Sequence, residues 1–299
     1  MSDWKIGNVS ITKIVEEDTP VPGKFMLPDA TAEKVKEIPW LSPNFITPEG
    51  WLKMSIHALI IESHGKKIMV DTCLGNDKER KLRAWSHRDG PFLDDIAAAG
   101  HPRESIDYII CTHLHVDHVG WNTMLVDGKW VPTFPNARYL FGRKEWEAWQ
   151  KEGDSDHYGP VLEDSVQPII DAGLADLVEW DHKVNDEVWL EPTPGHTPGH
   201  VSVRISSGGE DAVITGDMTH HPCQLARPEW SCSADFDAPR AIQTRLDFYD
   251  KYAETSMLVI GTHFSPPTAG HIVNDIDLSR PTAQSPLSET HTKSAPIPR

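Results

Sequence analysis

Residues Thr112 to Gly120 read Thr-His-Leu-His-Val-Asp-His-Val-Gly and place His113, His115, Asp117 and His118 within six positions. They follow Tyr108-Ile109-Ile110-Cys111, an apolar run that reads as a short buried strand. Side chains two apart on an extended chain point the same way, so His113, His115 and Asp117 can converge while His118 turns to another side. That split suits two neighbouring metal ions better than one. Imidazole nitrogen with carboxylate oxygen is a ligand set for zinc, with manganese, iron or cobalt as alternatives. A lone His here would be an ordinary polar turn; three His and an Asp so close together read as a ligand cluster.

The elements that must hold this loop show the same event repeatedly. A short apolar strand ends in a polar loop with His or Asp, usually beside Gly, at positions 71, 113–118, 196, 217 and 263. Loops at strand ends are where a rigid scaffold presents chemistry. Strands are expected over 4–17, 54–62, 67–71, 106–111, around 130–131, 138–141, within 177–191, and over 201–206, 212–215 and 257–261. Helices are expected over 91–100, 143–152, 160–172 and about 239–254. The order suggests two similar halves, each a mixed sheet under helices, in an α/β (α+β) chain. Residues 1–279 are expected to form a single catalytic domain. Within it, 18–54 is a long Pro-rich loop carrying Phe25, Met26, Leu27, Trp40, Leu41, Phe45, Ile46 and Trp51, read as a pocket wall or a dimer contact. Residues 280–299 form a Pro/Ser/Thr-rich tail, expected to be disordered or draped over a neighbour.

Composition narrows the partners. The 299 residues can bury a core without disulfides, and 38% apolar with 24% charged residues is ordinary for a globular protein. A net charge of −17 repels phosphate backbones, so nucleic acid is not an expected partner. No apolar run is long enough to span a membrane, and no secretory signal pattern opens the chain. Cys73, Cys111, Cys223 and Cys232 are scattered, which favours a reducing, cytoplasmic setting; a targeting segment removed from the N-terminus would leave no trace here. A small-molecule substrate and a homodimer are the expected partners.

The separate motifs together carry a family resemblance. Thr112 to Gly120, Pro194-Gly195-His196-Thr197-Pro198-Gly199-His200, Gly216-Asp217 and Gly261-Thr262-His263 resemble the metallo-β-lactamase superfamily over about residues 54–273. The resemblance implies a four-layer αββα sandwich with metals at one edge of its two sheets. It implies one metal on His113, His115 and His196, a second on Asp117, His118 and His263, and Asp217 bridging both. It also implies supporting roles for Asp71 and His200. Seven N and O donors exceed the needs of one tetrahedral zinc, so two Zn2+ per chain is the matching expectation. The segment after His263 is similar to the methyl-parathion-hydrolase-like and lactonase-like branches. Acyl-homoserine-lactone lactonases carry Tyr three residues past the bridging Asp; here that residue is His220, which could polarise a substrate or be structural.

This resemblance implies a hydrolase that uses hydroxide shared between the ions, with Asp117 and Asp217 carrying protons. Trp51, Trp121, Trp230 and Phe264 lie near the motifs and are expected to line an aromatic pocket for a small hydrophobic ester, lactone or organophosphate triester. The alternative is hydrolytic dehalogenation of chlorinated aromatics, as in chlorothalonil dehalogenase of the same superfamily. An iron-dependent redox enzyme and a non-catalytic metal-binding protein rank lower.

Overall fold

The strands alternate their side chains between two cores, and this period of two builds the layers. A computed structural model describes residues 3–152, 159–274 and 295–298, the last four by their backbone. The first sheet has the order β1-β2-β3-β4-β5-β8-β9, with β1 Trp4–Ile6, β2 Val9–Val21, β3 Leu52–Ser63, β4 Lys66–Val70, β5 Tyr108–Cys111, β8 Arg138–Gly142 and β9 Ala175–Val178. A hairpin, β6 Thr123–Val126 with β7 Lys129–Pro132, stands apart. The second sheet runs β10 Val188–Pro192, β11 Val201–Ser207, β12 Glu210–Ile214, β13 Leu258–Ile260, β14 Ala269–Val273 and β15 Ala295–Pro298.

Leu59, Ile61, Ile68, Val70, Ile110 and Leu140 face Val203, Ile205, Ala212, Ile214, Leu258 and Ile260 between the sheets. Their neighbours Ala58, Ile60, Met69, Ile109, Tyr139 and Phe141 point the other way, into the core that also holds Phe92, Ile96, Trp146 and Ile169. Among the described residues the eight α-helices are α1 Gly23–Met26, α2 Ala32–Lys36, α3 Phe92–Ala98, α4 Val116–Val119, α5 Arg143–Glu152, α6 Gln167–Asp171, α7 Cys223–Ala226 and α8 Ala238–Tyr252. Helices α3, α5 and α6 thus cover one face of the first sheet. On the far side, Val213 and Val259 pack against Phe248, Tyr249 and Tyr252 of α8. The result is the expected αββα sandwich. Its halves share a device: α3 connects parallel β4 and β5, and α8 connects parallel β12 and β13.

The stretch 18–54 differs from the long loop expected. β2 continues to Val21, pairing Thr19 with Met54 and Val21 with Leu52, and α1 and α2 follow. Leu27, Leu41, Phe45 and Ile46 are covered by the chain itself, packed in a core with Cys223, Trp230 and Cys232. Phe25 and Trp51 stay exposed. Of the tail from 280, β15 alone is described, and it pairs parallel to β14; the expectation of disorder or draping otherwise lies outside the described residues. Among the described residues no helix is long and apolar enough to cross a membrane.

Buried ions fix one further segment. Arg80 Nη1 lies 2.6 Å from Asp164 Oδ2, and the buried Lys78 Nζ lies 3.7 Å from Asp164 Oδ1. This anchor carries the neighbouring Lys81, Leu82 and Trp85 to the wall of a cavity that also reaches His115, His196 and His263.

Candidate metal centre

Three strand ends and one turn deliver the donors to one edge of the sandwich. β5 leads into His113, His115 and, on α4, Asp117 and His118. The turn between β10 and β11 supplies His196, β12 leads to Asp217 and β13 to His263. Gly216, at φ +56°, makes the turn after β12; a Cβ there would sit 2.6 Å from His200 Nε2.

The seven side chains come together. His115 Nδ1 lies 3.0 Å from His113 Nε2 and 2.9 Å from His196 Nε2. His263 Nε2 is 3.3 Å from His118 Nε2 and 3.5 Å from Asp117 Oδ2. Asp217 stands between the groups: Oδ2 is 3.3 Å from His118 Nε2, 3.5 Å from His196 Nε2 and 3.8 Å from His113 Nε2, while Oδ1 is 3.1 Å from His263 Nε2.

The hydrogen bonds behind the rings decide which nitrogen faces inward. His118 Nδ1 donates to Asp71 Oδ2 at 2.9 Å, His196 Nδ1 to Asp235 Oδ1 at 2.9 Å, and His263 Nδ1 to the Ser55 carbonyl at 3.0 Å. The Thr112 hydroxyl donates to Asp71, so it accepts from His113 Nδ1 at 3.1 Å. All four Nε2 atoms therefore point into the same small space, and those of His118 and His263 lie 3.3 Å apart. Asp217 Oδ1 is buried without a hydrogen bond. Converging ring nitrogens around a buried carboxylate fit divalent cations, and the all-N/O set fits zinc.

The same crowding sets the proton affinities of the metal-free cluster. Burial, reinforced by neighbouring imidazoles, holds His113, His115 and His196 well below the usual imidazole value. Burial also opposes charge on His118 and His263, but the carboxylates beside them win and raise both. Asp217 is held well below its ordinary value: burial works against the anion, and His118, His263 and His220 outweigh it. Metal bound at this cluster would displace protons chiefly from His118 and His263.

Asp71 and His200 act at one remove. Asp71 adopts φ +58° and binds Thr112 N, the Thr112 hydroxyl and His118. Asp71→Asn tolerates that backbone but removes the charge behind His118, so zinc affinity is expected to fall about 10- to 100-fold; competition with a fluorescent chelator checks this, and unchanged affinity would contradict it. His200 holds main chain: its Nε2 accepts from Asp217 N at 2.8 Å and its Nδ1 donates to the Thr193 carbonyl at 3.0 Å.

Two further positioning groups escaped sequence reasoning. Glu145 of α5 accepts from Leu114 N at 3.2 Å and Gly199 N at 2.9 Å, joining the two His-bearing loops. Asp235 orients His196 from a segment with no motif spacing. The helical position of Glu145 carried no signal either.

The cavity over the centre encloses about 790 Å³. His115, Asp117, His196, Asp217, His220 and His263 line its floor, and Phe25, Met26, Leu82, Trp85, Trp149 and Phe236 its walls. The expected aromatic lining is corrected throughout. Trp121 is buried and stacked on Phe92 at 5.8 Å. Trp230 sits in the core beneath the 18–54 stretch, and Phe264 packs below Gly261 in the α8 core. Trp51 is exposed and absent from the cavity wall. His220 does reach the cavity, with Nε2 3.3 Å from Asp217 Oδ2.

The chain resembles proteins of known structure and activity. It is 27% identical over 181 residues to an N-acyl homoserine lactonase of Bacillus sp, covering 56% of this chain and 65% of that protein's length. It is 34% identical over 128 residues to a hydroxyacylglutathione hydrolase of Aeromonas salmonicida, covering 43% of this chain and 38% of the relative. Its fold matches the crystal structure of the hydrolase AbOPH with TM-score 0.74 and 26% identity, over 90% of this chain and 91% of that one. AidC, a dizinc quorum-quenching lactonase solved in complex with a product, matches with TM-score 0.72 and 24% identity over 90% and 92%. The sequence pattern of one family covers residues 53–268, every candidate metal donor included, and by that match the chain belongs to the metallo-beta-lactamase superfamily.

Proposed function

We propose that the chain is a binuclear zinc-dependent hydrolase of small apolar esters, lactones or phosphotriesters. One observation carries the reading: seven donors converge at the base of a cavity whose walls are apolar and aromatic, and five of them, His115, Asp117, His196, Asp217 and His263, line it. The lactonase and hydrolase relatives support it. When bound, the ions supply a nucleophilic water at neutral pH and positive charge for the developing oxyanion.

The chain's own groups supply the rest. Phe25, Trp85, Trp149 and Phe236 bind the apolar part of the substrate and exclude water. Asp117, half-buried at the cavity floor, takes and returns a proton at its carboxylate. Burial opposes a proton on His220, but Cys232 and Asp217 beside it hold its pKa well above the usual value. The imidazolium can then donate to the reacting oxygen. His220→Asn is expected to lower kcat about 100-fold at unchanged zinc content. Because the group acts while protonated, wild-type activity falls as pH rises through its pKa in the metal-loaded protein, and the variant loses that alkaline limb. An unaltered kcat and pH profile would refute this role.

Aryl esters, lactones, a phosphotriester and a chlorinated aromatic nitrile, assayed with metal analysis, test the function. The four cavity aromatics also suit a flat chlorinated ring, and chloride release would select that reading. No turnover on any class would overturn the proposal.

A further inference from the structure

A second set of ligand atoms borders the hydrolytic donors. His196, His220 and Cys232 each bring one donor atom within 4.8 Å of the others. His220 is 2% exposed, and its Nδ1 has no hydrogen-bond partner among the described residues. Cys232 is a free thiol on the wall of the same cavity. Asp235 fixes this set: Oδ1 accepts from His196 Nδ1, and Oδ2 accepts from the Cys232 backbone N–H, both at 2.9 Å. The other cysteines, Cys73, Cys111 and Cys223, are buried and join no such cluster among the described residues.

We propose that His196, His220 and Cys232 form an alternative coordination position that takes a soft divalent cation in exchange for the ion held by His113, His115 and His196. Thiolate beside imidazole selects softer cations than the all-N/O set next to it. Three protein ligands and a cavity-facing side leave a fourth position for water. On binding, the Cys232 S–H bond and the Nδ1–H bond of the His220 imidazolium break, S–metal and N–metal bonds form, and both protons leave to solvent. The exchange is exclusive because His196 Nδ1 is committed to Asp235, leaving Nε2 alone to ligate, 2.9 Å from His115 Nδ1. One lone pair serves one ion. A soft cation therefore draws His196 from the hydrolytic centre. The exchange rests on the proposed role of His196; the thiolate position itself does not depend on turnover.

Titrating Cd2+ into the zinc-loaded protein tests both. A thiolate-to-cadmium charge-transfer band should rise in the ultraviolet and saturate at about one equivalent, with about one zinc released per chain. Cys232→Ser should abolish the band, and His220→Gln should weaken cadmium binding more than about tenfold. Circular dichroism would establish that both variants are folded. Absence of the band in the wild type, or its survival in Cys232→Ser, overturns the site. A band without zinc release overturns the exchange. Failure of the hydrolase reading would instead show as an inert zinc protein whose cadmium band is intact.

Discussion

Asp217→Ala should lose hydrolytic activity by roughly 10³-fold or more while keeping its fold. The side chain approaches the imidazoles of both donor groups, at distances from 3.1 to 3.8 Å, and among the described residues no other carboxylate spans them. Its removal deletes a charge that several kcal/mol of transition-state stabilisation depends on. The fold should survive because the Asp217 carboxylate touches cluster side chains alone, whereas its backbone N–H, bound to His200 Nε2, is retained by alanine. Asp217→Asn separates charge from shape: it should also lose metal, although its volume is unchanged. Steady-state kinetics with elemental analysis on folded protein decides the matter. Full turnover in the alanine variant would end the binuclear reading.

The sandwich and the donor loops were legible because both rest on local patterns. Alternation such as Leu59-Ile60-Ile61 says which face each residue takes, and the Gly-flanked His and Asp residues mark where strands stop. The cavity wall was not legible, for a geometric reason. Neighbours of a ligand in sequence point away from it: Phe264 follows His263 but turns beneath Gly261, and Trp121 turns onto Phe92. The rings that do line the cavity, Phe25, Trp85, Trp149 and Phe236, come from four distant segments. Only tertiary packing joins them. The apolar residues of 18–54 failed as a guide to exposure because their cover, including Trp230 and Cys232, lies nearly two hundred residues away. Asp235 and Glu145 were missed in the same way, as single carboxylates whose meaning depends on a loop brought to them by folding.

Arg245→Ala should be the most destabilising single change near the centre. Arg245 is fully buried on α8, and its guanidinium donates to the carbonyls of Met218 and Pro228 at 3.0 Å and of Trp230 at 3.4 Å. These carbonyls span the loop that starts at Asp217 and carries His220. Truncation would leave the Trp230 carbonyl its bond from Gln224 Nε2 at 2.8 Å, but would strip this donor from the other two. Two buried carbonyls at about 1–3 kcal/mol each, plus the cavity left by the side chain, give a loss of about 3–5 kcal/mol. For a chain of this size that lowers Tm by roughly 10 °C. Arg245→Lys should recover only part, since one ammonium cannot reproduce the planar fork that reaches three carbonyls at once. Calorimetry of metal-free protein isolates the effect from ligand binding. A Tm within a degree of wild type would mean that Gln224, whose Oε1 already accepts from His220 N at 2.7 Å, and Tyr249, which donates to the Thr219 hydroxyl at 2.9 Å, suffice to hold the loop.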